Sequence, residues 1–188
     1  VKGFIPGNLY TFTGETNVGK TSIACNFAYR MGLQGDRRIL YFALEPDRRV
    51  ADYFASIASQ KKFDDLTDKD FDLMLPTIDV FTKEVIRDLP TLLKTVRELD
   101  RYDLIIIDHI GYFTKGDDLN VAQANALKDL VGLAKAKKSA VLIIAHPNKG
   151  DKKRVFPTMN DISGSASFKQ DSTDVLIAVR DKDETDEY

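Results

Sequence analysis

A single cysteine, Cys25, stands in the 188-residue sequence, so no internal disulfide can form. Apolar runs are short. None approaches the roughly 20 residues that cross a bilayer, which argues against a membrane-spanning helix. The opening Val1-Lys2-Gly3-Phe4-Ile5-Pro6-Gly7 lacks the layout of a signal peptide. Internal repeats, low-complexity tracts and linker-like stretches are also missing. Excess charge of either sign is small: 27 Lys and Arg against 29 Asp and Glu leave −2. That balance argues against a chain coated all over in nucleic acid but leaves room for a local basic strip. These absences predict one domain over residues 1–188, in a reducing, cytoplasmic setting, with Cys25 as a small apolar thiol in a buried helix.

Hydrophobic residues make up 43% and charged residues 30%, ordinary for a globular domain of this size. Charge is uneven along the chain. Lys149-Gly-Asp-Lys-Lys-Arg154 is mostly basic; Asp181-Lys-Asp-Glu-Thr-Asp-Glu-Tyr188 is mostly acidic and reads as a solvated, poorly ordered tail.

Short apolar runs predict strands at 9–13, 39–43, 77–81, 104–107, 140–145 and 175–179. Between them lie helical spacings. Ile23, Phe27 and Met31 share one face, with a stop near Gly32 or Gly35. Asp47 is placed to cap a helix through about Ser59. Residues 61–75 read as a surface excursion with at most one helix. Leu89, Leu92, Leu93, Val96 and Leu99 form an apolar stripe. Val121 to Lys138 reads as a helix with Ala124, Leu127, Val131 and Ala134 inward and lysines at its C-terminal end. Strands that alternate with helices and are apolar throughout imply an α/β fold: a mainly parallel central sheet with helices on both faces.

One motif ties this fold to chemistry. Gly14-Glu15-Thr16-Asn17-Val18-Gly19-Lys20-Thr21 fits G-x-x-x-x-G-K-[ST], between a strand and a helix. Its glycines let backbone N–H groups face phosphates at a helix N-terminus. Residues 14–21, with Ser22, are thus expected to bind ATP. Lys20 is expected to reach the β- and γ-phosphates, and Thr21 to ligate Mg²⁺. Asp108 ends the 104–107 strand, where a carboxylate can orient Mg²⁺ and its waters. Glu45 follows the 39–43 strand. A sheet neighbour of the loop strand would set it near the γ-phosphate, where it can polarise a water; elsewhere it is an ordinary loop residue. His146 ends the 140–145 strand and either reports on the γ-phosphate or is a plain strand-end histidine. His109 receives no role.

The order Lys20/Thr21, Glu45, Asp108, His146 resembles the RecA-like ATPase core of the hexameric replicative DNA helicases, the Twinkle, phage primase–helicase and DnaB-like group. "AHPNKGDKKR" and "SGSASFKQDSTDVLIAVRD" sharpen the likeness, through His146, Lys149, Gly164, Ser165, Gln170 and Asp174. The resemblance spans about Phe4 to Arg180. It implies catalytic roles for Lys20, Glu45, Asp108 and His146, with ATP and Mg²⁺ as cofactors. It also implies a homo-oligomeric, hexameric ring around single-stranded DNA in a bacterial or phage cytoplasm. Lys149, Lys152, Lys153, Arg154 and Gln170 are then candidate DNA contacts, though a solvated basic loop explains the cluster equally well. Phe156 and Phe168 are stacking candidates or core. In that family the arginine finger lies beyond the position of Arg180. Residues 1–188 are therefore expected to bind ATP and hydrolyse it weakly, and the loops near 112–120 and 150–163 to be mobile without DNA. A recombinase-type or plasmid-replication ATPase that binds DNA without unwinding it, or a partner-binding signalling ATPase, shares the early motifs.

Overall fold

The apolar runs assemble into one sheet. The computed structural model describes residues 3–45, 50–73, 75, 77–113, 119–146 and 165–179. The strands are β1 (Leu9–Gly14), β2 (Ile39–Ala43), β3 (Ile78–Thr82), β4 (Leu104–Asp108), β5 (Ala140–Ala145) and β6 (Asp174–Ala178). The helices are α1 (Lys20–Gly32), α2 (Val50–Ser59), α3 (Asp68–Phe71), α4 (Leu89–Glu98), α5 (Leu119–Lys137) and α6 (Ser165–Asp171). Strand order is β3-β2-β4-β5-β1-β6, and all these pairings are parallel.

Alternation along each strand divides the interior into two cores. Ile105 and Ile107 of β4 face the layer that holds Leu92 and Val96 of α4, Leu130 of α5 and Phe168 of α6. Leu104 and Ile106 face Ala24, Cys25 and Ala28 of α1 and Phe54 of α2. The central strands are apolar on both faces because both faces are covered, as the sequence predicts.

Local chemistry sets the helix ends. Asp88 caps α4, its carboxylate accepting from the Thr91 N–H at 2.7 Å, with Pro90 in the first turn. Leu92, Leu93 and Val96 are buried as expected, and Leu89 and Leu99 pack at the margin. Full burial of each such side chain is worth about 1.5–3 kcal/mol. Lys137 closes α5 by donating to the carbonyls of Leu99 at 2.7 Å and Arg97 at 3.2 Å, which ties it to the end of α4. The excursion at 61–75 holds a 3₁₀ turn, Phe63–Asp65, and α3, whose Thr67 and Asp70 form a capping box.

Three readings shift. α5 begins at Leu119, and its buried stripe runs through Gln123, Ala126, Leu127, Leu130, Leu133 and Ala134, leaving Ala124 and Val131 half-buried. β3 and β6 each differ from the expected spans by one residue. β6 starts at Asp174 because that residue pairs with Tyr10 in the β1 ladder. α6 was not expected: its small polar residues give no apolar stripe beyond the buried Phe168. Asp47, the expected cap of α2, lies outside the described residues.

Candidate active site

The loop after β1 crosses to α1 through backbone shapes that few side chains permit. A Cβ on Gly14 would stand 2.5 Å from the Ala178 carbonyl oxygen and 3.0 Å from Val18 Cγ1, so β6 and the loop close on this position. Asn17 and Gly19 have φ of 65° and 87°, in the left-handed region. Glu15, Thr16 and Asn17 form an exposed crest, Val18 and Gly19 are half-buried, and Lys20 and Thr21 are buried. Gly19 is the N-cap of α1, with no side-chain cap and no acid in the first turn. Such a helix N-terminus favours an anionic ligand. Lys20 Nζ donates to the carbonyls of Gly14 at 2.9 Å and Glu15 at 2.8 Å, so the ammonium lies folded over the loop. Ser22 lies within the first turn of α1.

The next strand tip over but one brings in Asp108. Thr21 Oγ1 donates to Asp108 Oδ2 at 2.7 Å, and the Tyr41 hydroxyl donates to the same oxygen at 2.9 Å. All three residues are buried. Burial pushes the Tyr41 phenol well above its ordinary value, with Cys25 and Asp108 adding to it, so Tyr41 stays a neutral donor at any physiological pH. Cys25 sits one turn along α1 from Thr21. Burial pushes its thiol up to about 12, partly opposed by the Tyr41 hydroxyl and assisted by the Asp108 charge. It is an inert core thiol, as its surroundings in the sequence predict. Tyr41 is a site residue that sequence reasoning missed: inside the run Ile39–Ala43 nothing marks one ring as polar-tipped support.

Glu45 lies two residues past β2, and His146 directly follows β5. His146 Nε2 and Glu45 Oε1 are 3.0 Å apart. His109, given no role from the sequence, joins them: its Nε2 is 3.7 Å from the same Glu45 oxygen, and its ring meets His146 edge-on with centroids 4.4 Å apart. The Asp108–His109 peptide is cis. Gly111 leaves room for this ring; a Cβ there would stand 2.7 Å from His109 Nδ1. One sequence expectation about geometry is corrected. β2 is not a sheet neighbour of the loop strand, since β4 and β5 lie between β2 and β1. Glu45 reaches the site from the far side of Asp108.

The oxygens of Thr21 and Asp108 suit a hard cation such as Mg²⁺: they are buried, adjacent and aligned under the loop. Of the expected DNA contacts, Gln170 is exposed on α6, while Lys149, Lys152, Lys153 and Arg154 lie outside the described residues, as do Phe156, Gly164 and Arg180. Phe168 is 1% exposed, a core residue closed to base stacking.

Residues 1–152 match the sequence family described as the AAA domain. The chain belongs to the AAA domain family. Within it, this AAA domain has the RecA-like fold of two similar solved structures. A structure of a DnaB-like replicative helicase, with its interactions with primase, superposes with TM-score 0.76 at 16% identity over 98% of this chain and 50% of that one. A second structure, of an isolated ATPase domain, gives TM-score 0.76 at 17% identity over 98% of this chain and 74% of that one. The AAA domain here thus spans about half the length of the first. At these identities the likeness speaks for the fold. No curated protein matches the chain in sequence. Among the described residues of this AAA domain, no helix is long and apolar enough to cross a membrane.

Proposed function

We propose that this chain is the ATP-driven motor domain of a DnaB-like replicative helicase, a single RecA-like unit that works in a homo-oligomeric, hexameric ring on single-stranded DNA. The observation that carries the reading is the convergence at one sheet edge. Thr21 meets Asp108 at 2.7 Å, and Glu45 meets His146 at 3.0 Å across the neighbouring strand tips. A phosphate-binding loop alone would explain the first contact and not the second.

Lys20 leaves the Gly14 and Glu15 carbonyls and bonds the β- and γ-phosphate oxygens of ATP, while the loop N–H groups of residues 14–21, and of Ser22, surround the phosphates. Thr21 and Asp108 hold Mg²⁺, which when bound neutralises phosphate charge. Tyr41 keeps the Asp108 carboxylate turned toward Thr21. Glu45 orients the attacking water and accepts its proton. His146 touches the γ-phosphate and, because it shares a hydrogen bond with Glu45, makes the position of that carboxylate depend on the phosphate. Loops beyond β4 and β5, with Lys149, Lys152, Lys153, Arg154 and Gln170, contact the DNA backbone; such binding weakens with salt.

Glu45→Gln tests the assignment. Nucleotide binding should persist while hydrolysis falls by about 10²–10⁴-fold. Hydrolysis at the wild-type rate in this variant would remove Glu45 from the reaction. Unwinding of a forked duplex by the ring, against salt-sensitive DNA binding with no unwinding, separates a helicase from a DNA-binding ATPase.

A further inference from the structure

We propose that Glu45, His109 and His146 form a binding site for a borderline divalent metal ion of the Zn²⁺ class, distinct from the Mg²⁺ position at Thr21 and Asp108. The chain contains two histidines in all, and both direct Nε2 at the same carboxylate oxygen. One donor atom from each of the three residues lies within 4.8 Å of the others. Donors about 2.1 Å from a tetrahedral ion stand about 3.4 Å apart. The two measured carboxylate–imidazole separations, 3.0 and 3.7 Å, bracket that spacing. Small rotations of partly buried side chains close the set around an ion. Two imidazoles and one carboxylate suit Zn²⁺ or Co²⁺ and disfavour Mg²⁺, which prefers an all-oxygen shell. A fourth position stays open to water.

Metal uptake moves the Nε2 proton that His146 shares with Glu45 onto Nδ1 or into solvent. It also takes the Glu45 carboxylate away from the attacking water. The ion therefore blocks hydrolysis with nucleotide still in the loop. That consequence rests on the catalytic reading of Glu45; the binding itself does not.

The test is a Co²⁺ titration of the whole chain in excess Mg²⁺, followed by visible absorption. One equivalent with a tetrahedral spectrum is expected. His109→Gln and His146→Gln should each weaken it at least about tenfold. Gly111→Ala, which removes no donor but crowds the His109 ring, should weaken it too. X-ray absorption of the Zn²⁺-loaded wild type should show two imidazoles, which in this chain must be His109 and His146. No binding in excess Mg²⁺, fewer than two imidazoles, or unchanged affinity in the histidine variants would overturn the site. Zn²⁺ bound at two imidazoles with hydrolysis undiminished would instead overturn the role given to Glu45.

Discussion

Tyr41→Phe removes one oxygen atom and keeps the ring. Tyr41 is 0% exposed, so water does not replace the lost donor at Asp108 Oδ2, 2.9 Å away. The carboxylate keeps its bond from Thr21 Oγ1 at 2.7 Å. A hydrogen bond to a charged group contributes about 1.5–3 kcal/mol. At about 2–4 °C per kcal/mol for a chain of this length, the melting temperature should fall by about 3–12 °C. Urea unfolding should show a lower midpoint with an unchanged slope, since the folded surface is the same. With one of these two donors gone, the carboxylate is freer to turn, so nucleotide binding should need more Mg²⁺ while Mg²⁺-free binding stays unchanged. Thr21→Val removes the other donor. Because both donors serve one oxygen, the double variant should deviate from additivity by about 0.5–3 kcal/mol. Wild-type stability together with a wild-type Mg²⁺ requirement in Tyr41→Phe would refute the idea that this phenol holds the acid in place.

Gly14→Ala forces a methyl group to 2.5 Å from the Ala178 carbonyl oxygen, a backbone atom that can yield only by moving β6. A loss of about 1–3 kcal/mol in urea unfolding is expected, with weaker nucleotide binding; a variant as stable as wild type would show that β6 is not packed against the loop. Asp70 gives an acid-limb prediction. Hydrogen bonds first from Lys61 and then from Thr67 hold its carboxyl down to about 2, below the unfolded value of about 3.9. The folded pKa is the lower one, so its stabilisation is present above about pH 4 and is lost as pH falls toward about 2. Asp70→Asn should flatten the pH dependence of the urea midpoint in that window, and an unaltered slope there would count against it.

The sheet was legible because its strands are buried on both faces and so are written as plain apolar runs, Leu104–Ile107 and Ala140–Ala145 above all. The phosphate loop was legible because its chemistry is local: the glycines, Lys20 and Thr21 lie within one turn of chain. α4 announced itself by its stripe and Asp88 cap. What stayed hidden is what the fold assembles from distant segments. Glu45 and His146 are 101 residues apart in the chain and meet only through strand order. His109 had a neighbour in Asp108 but no sequence sign of Glu45, and Tyr41 looked like one more core aromatic. α6 escaped because Ser165–Asp171 has a single large apolar residue to bury.

Strand order also selects side-chain length. Adjacent strands lie about 4.8 Å apart, so β2 and β5, with β4 between them, have axes roughly 9–10 Å apart. Groups rooted on those two strands must reach inward over the β4 tip to touch. A glutamate and an imidazole together cover that gap at 3.0 Å. An aspartate at position 45 would carry the same charge yet end about 1.5 Å short, one carbon–carbon bond. The hydrogen-bond ladder of the sheet thus acts as a ruler that admits Glu and rejects Asp at this tip, before any question of acidity arises.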